Sequence, residues 1–107
     1  ILPTLESISA AAQGDIPDDT KVMLTNSADP AAYPISGFTW IIFYKEQSYN
    51  GRSLSQARET ASFLNWIIDV DAQAMAQQVH YAPLPEKAVA KAKAILATMT
   101  YDGKAIN

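Results

Sequence analysis

The stretch Gly37-Phe38-Thr39-Trp40-Ile41-Ile42-Phe43-Tyr44 decides the fold. It is rich in aromatic and β-branched residues, which suit a pleated, extended backbone. A strand with one face on a core and one in water alternates apolar and polar side chains. Trp40–Tyr44 is apolar on both alternating faces, which predicts a strand buried on both sides, as in a sheet sandwiched by helices. Such a strand cannot satisfy its own ladder hydrogen bonds. Lys21-Val22-Met23-Leu24-Thr25 is the one other candidate strand, and it is short. Most partner strands are therefore expected from outside this chain, or from another copy of it.

Outward from that strand the pattern is helical. Upstream, Thr4 suits an N-cap and Glu6 suits the positive end of a helix dipole. Leu5, Ile8 and Ala12 share one face, and Gly14 suits the C′ position, so a helix is predicted over 5–13. Residues 14–20 read as a loop and 26–30 as a turn, and Pro34 biases Tyr33 toward an extended backbone. Downstream, 45–51 is a polar loop. Ser53 with Gln56 three residues on is a capping box. Leu54, Ala57, Ala61, Leu64 and Ile68 then mark one helical face. Asp69-Val70-Asp71 breaks that pattern, and a short helix is expected over 72–78. Pro85 suits the first position of a last helix, whose buried stripe is Val89, Ala92, Leu96 and Met99. Read on its own, the chain is a helix-rich α+β fragment with few strands.

Composition narrows the function classes. With 11 acidic against 8 basic residues the net charge is −3, a poor match to a nucleic-acid surface, which needs clustered Lys and Arg. The sequence has no Cys, so thiol catalysis, disulfides and Cys-ligated metals are excluded. No apolar run approaches the ~18 residues that suggest a membrane span. The start, Ile1-Leu2-Pro3-Thr4, has no initiator Met and no secretory pattern, and reads as a point inside a longer polypeptide. No Gly-rich phosphate loop is present.

Four motifs, in order, resemble one family. They are the opening Pro3-Thr4-Leu5-Glu6-Ser7-Ile8 with Ala10-Ala11-Ala12, then Tyr33-Pro34-Ile35-Ser36 running into Phe38–Lys45. Phe63-Leu64-Asn65-Trp66 follows, and last Val79-His80-Tyr81-Ala82-Pro83-Leu84-Pro85 ahead of the Val89 helix. The set resembles the C-terminal part of bacterial phosphate-binding proteins of the high-affinity phosphate ABC transporter. The resemblance implies the α/β fold class, as the C-terminal part of a type II periplasmic-binding-protein fold, two-lobed, with helices flanking mixed sheets. It implies that residues 1–36 finish the second lobe and enter the hinge crossover, and that 37–107 complete the first lobe. It further implies a periplasmic or cell-surface binding protein rather than an enzyme, with inorganic phosphate as ligand and an ABC permease as partner. The alternative is an oligomerising or interaction module from a binding protein for another oxyanion, such as sulfate or molybdate.

The family's phosphate ligands lie in motifs that this chain lacks, so no ligand-binding residue is carried over. No catalytic residue, metal ligand or cofactor is assigned. Ser36 and Thr39 flank the crossover and are read as structural. His80, the only His, is read as a surface or packing residue beside Tyr81. Asp69 and Asp71 are read as helix-capping, and Asp15, Asp18 and Asp19 as a solvated loop without calcium-loop spacing. Lys87 and Lys91 share a helix face at i, i+4 and repel slightly; with Lys93 they read as a solvated face, the sharper reading being contact with an acidic partner or lipid headgroups. Phe38, Trp40, Phe43 and Tyr44 could stack on sugars or bases, but a buried strand explains Trp40, Phe43 and Tyr44 with no extra assumption. Self-association through unpaired strand edges is expected of the isolated chain.

Overall fold

A computed structural model describes all residues 1–107. The elements are α1 (Leu5–Ala11), α2 (Leu54–Ile67), α3 (Val70–Met75) with a 3₁₀ turn over Ala76–Val79, α4 (Glu86–Leu96), β1 (Thr100–Tyr101) and β2 (Lys104–Ala105). The first three α-helices begin where a side chain supplies an acceptor for a free N–H group. Thr4 and Ser7 form a reciprocal capping box on α1, and Ser53 and Gln56 form one on α2. On α1 the partner of Thr4 is Ser7, which also donates to the Leu2 carbonyl. Asp69 caps α3 by accepting the Val70 N–H at 2.8 Å. The break seen at 69–71 is thus a cap-to-cap junction, and α3 starts two residues earlier than expected. Pro85 sits at the N-cap of α4 rather than inside it.

β1 and β2 form a two-stranded antiparallel hairpin with Thr100 opposite Ala105 and Tyr101 opposite Lys104. Its turn, Asp102-Gly103, has positive φ at both residues, 50° and 78°. That geometry matches the right-handed twist of the flanking strands and is favoured by Asp-Gly. The sequence reading missed this hairpin. The expected strand at Lys21–Thr25 does not form: the segment has no ladder partner, although Leu24 is buried and Val22 packs beside it.

Two separate apolar clusters share no residue. One joins Ala61, Leu64, Ile68, Leu96 and Met99, with Phe43, Val89 and Ile106 packed around them; α2, α4 and the chain end meet there. The other joins Ala11, Ala12, Leu24 and Ala32, with Val22 and Phe38 beside them. Only 15 of the 107 residues are buried, although 49% of the sequence is hydrophobic. The radius of gyration is 15.7 Å, against about 13 Å for a compact body of this length. Much apolar surface therefore stays open, including Leu2, Met23, Ile35 and Ile42.

Candidate functional site

The surface most in need of a partner is the stretch from Gly37 to Tyr44. Its residues have no helical or ladder assignment. From Gly37 through Phe43 no backbone N–H or C=O makes a hydrogen bond, to backbone or to side chain. Its apolar side chains are also open. Ile42 is 96% exposed, Ile41 55% and Trp40 48%. The expected doubly buried strand does not form within this chain: the segment has no ladder partner, its edges and most of its side chains are free, and Trp40 and Tyr44 are exposed rather than buried. Trp40 is steadied only by its indole N–H, which donates to the Thr20 carbonyl at 3.2 Å, and by an edge contact with Phe38.

The segment is anchored at its far end. The Lys45 carbonyl accepts the Thr100 N–H at 2.9 Å, and the Gln47 N–H donates to the Thr100 carbonyl at 2.8 Å. These bonds make a parallel bridge between Glu46 and Thr100, so β1 already lies beside the end of the extended stretch. Glu46 reinforces it. Its carboxylate accepts the Gly103 N–H at 2.8 Å, the Asp102 N–H at 3.1 Å, the Thr100 hydroxyl at 3.0 Å and both the N–H and hydroxyl of Ser48. Hydrogen bonds to the ionised form, the Gly103 N–H first, hold this carboxyl down at about 2. Behind it, the fully buried Gln47 accepts from the Arg52 guanidinium at 3.2 Å, Arg52 donates to the Thr60 hydroxyl at 2.6 Å, and the Tyr101 hydroxyl donates to the Arg52 carbonyl at 2.8 Å. Sequence reading passed over Glu46, Gln47 and Arg52. For Glu46 the reason is distance, since the turn it binds lies 57 residues away, whereas the side-chain partners of Gln47 and Arg52 are within eight residues but form no recognised motif.

The residues weighed from sequence do not converge on a ligand. Ser36 is buried and its hydroxyl donates to the Tyr33 carbonyl at 2.8 Å, closing the turn before the crossover. Thr39 is exposed. The free N–H groups of an extended segment point alternately to opposite edges and form no anion cradle. His80 is exposed and ends the 3₁₀ turn in the left-handed conformation, φ 63°. Asp71 lies in the first turn of α3. Asp19 caps its own loop by accepting the Lys21 N–H. Lys87 and Lys91 lie on a solvent-exposed face, as expected, but they also reach the loop after α1, Lys91 pairing with Asp18 at 2.5 Å and Lys87 donating to the Gln13 carbonyl at 2.9 Å. Lys93 lies apart, at a shallow groove with Ser62, Asn65, Trp66, Asp69 and Asn107. No three acidic or His side chains stand close enough to hold a metal ion.

Comparison with known proteins gives a match over most of the chain. The phosphate-binding protein PstS of Xylella fastidiosa strain 9a5c is 29% identical over 101 residues, covering 92% of this chain and 26% of the relative. PstS of strain Temecula1 is 28% identical over 101 residues, with the same two coverages. The chain thus spans about a quarter of the length of these curated relatives. No protein-family model matches it. No solved structure matches it. Its helix-rich body with one small sheet is compatible with a piece of such a protein, and over nearly all its length the chain is similar to a segment of a phosphate-binding protein.

Proposed function

We propose that this chain is the C-terminal part of a two-lobed phosphate-binding protein that delivers inorganic phosphate to an ABC permease from the periplasm or cell surface. On this reading residues 1–36 finish the second lobe and 37–107 complete the first, with Gly37–Tyr44 as an interior strand of a sheet built mostly by preceding sequence. The observation that carries it is the unpaired run Gly37–Phe43, apolar on both faces and free of backbone hydrogen bonds. The coverage of the relatives agrees, since about three quarters of their length has no counterpart here. Phosphate would be held by residues outside this chain, in a cleft of N–H and hydroxyl donors, and lobe closure would couple binding to delivery. Isothermal calorimetry with inorganic phosphate tests the assignment. The isolated chain is expected to give no heat of binding, and micromolar binding by it would overturn the placement of the site elsewhere.

The same open edges support a second reading, an interaction module that pairs the strand with another copy. Sedimentation separates the two. A stable stoichiometric dimer that protects the Gly37–Phe43 amides favours the module. Open-ended association that disappears when the segment is embedded in a polypeptide of the relatives' length favours the binding-protein part.

A further inference from the structure

We propose that Lys87 and Lys91 form an electrostatic clasp that fixes the α1 half of the chain against α4, and so biases the angle between the two bodies that the crossover joins. The two apolar clusters share no residue, and the crossover lends one aromatic to each, Phe38 to the α1 cluster and Phe43 to the α2–α4 cluster. Between residues 1–36 and 45–107 only two hydrogen bonds exist. They are Lys87 Nζ to the Gln13 carbonyl at 2.9 Å and Lys91 Nζ to Asp18 Oδ1 at 2.5 Å. Both lysines stand on one face of α4 at i, i+4, where two cations repel along the helix unless each meets an acceptor. The loop after α1 presents one carbonyl and one carboxylate to that strip. Lys91, by hydrogen bond and charge, in turn holds the Asp18 carboxyl below its ordinary range.

In this chain Gly37–Phe43 has no backbone hydrogen bond, and if the segment is paired inside a sheet of the first lobe, as proposed above, those bonds lie within that lobe and leave the angle between the lobes to other contacts. Besides the Trp40 indole N–H on the Thr20 carbonyl at the crossover itself, the two lysines are the polar links between the bodies, joining positions 73 and 74 residues apart in sequence. In a two-lobed binding protein, a step that rests on the function proposed above, such a link persists only while α4 stays against the loop after α1. It therefore favours one range of lobe angles over others. Exposed ion pairs are individually weak, so its removal should change the ratio of lobe arrangements by about two- to fivefold, and salt should do the same.

The test places spin labels at Ala28 and Ser62, one in each body, in the full-length polypeptide that carries this segment; the segment has no Cys to interfere with labelling. Pulsed dipolar spectroscopy should give a narrow distance distribution at low salt that broadens in K87M/K91M and in 1 M salt. Lys91→Asp should broaden it as well, and Lys91→Asp combined with Asp18→Lys should restore it, which a merely structural role for Lys91 would not do. A distribution unchanged in the double variant, or a charge swap that restores nothing, overturns the clasp. Phosphate affinity measured on the same variants should shift about two- to fivefold. Distances that respond in a protein that binds no phosphate uphold the clasp and count against the functional reading instead.

Discussion

The Glu46 carboxylate accepts the Gly103 N–H at 2.8 Å, and so ties the end of the open strand to the turn of the C-terminal hairpin. The same carboxylate takes the Asp102 N–H and the Thr100 hydroxyl, so the hairpin turn and β1 share one acceptor. The position of β1 beside residues 45–47 thus depends on a charge, not only on ladder bonds.

A pH dependence follows with a definite sign. The Glu46 carboxyl is lowered from 4.5 to about 2. A carboxyl depressed in the folded state stabilises it above the unfolded pKa, and that contribution fades as pH falls from about 4.5 through about 2. Carboxyl-detected NMR should place the Glu46 midpoint near the lower value. Amide protection in Thr100–Ala105 should fall over the same window, and Glu46→Gln should remove that acid dependence while lowering protection at neutral pH.

Met99 is fully buried at the junction of α2, α4 and the hairpin. Met99→Ala should destabilise the body formed by 45–107 by about 2–5 kcal/mol. Because the α1 cluster shares none of its residues, denaturation followed at Trp66 should shift while protection of the α1 amides stays unchanged.

The capping boxes give smaller effects. Ser53→Ala removes the acceptor of the Gln56 N–H, at 3.1 Å, and should cost about 1 kcal/mol, read as a lower urea midpoint for loss of helix signal. Gly103→Ala places a Cβ at φ 78°, where nothing crowds it sterically but the backbone region disfavours an L-residue, so about 1–2 kcal/mol of hairpin stability should be lost.

Helices were legible because their signals are local. Thr4, Ser53 and the 3.6-residue stripes lie within one turn of what they control. The hairpin was also written locally, in Asp102-Gly103, but its strands are two residues each and carry no alternation to notice. Lys21–Thr25 misled because β-branched residues suit any extended segment, and without a partner edge it stays irregular. The exposed face of Lys87 and Lys91 was legible, but their partners Gln13 and Asp18 were not, because they are more than 70 residues away. The reading of Trp40–Tyr44 as a strand buried on both sides is not met within this chain, where these residues are unpaired and mostly exposed, because apolar side chains on both faces report a need for cover whether or not the cover is present.

That need is the central claim, and amide hydrogen exchange over Phe38–Phe43 tests it most directly. The expected result is exchange near the unprotected rate in the isolated, monomeric chain, with protection rising roughly a thousandfold or more in a full-length polypeptide that supplies the neighbouring strands. Strong protection of these amides in the isolated monomer, or none in the full-length protein, would contradict it.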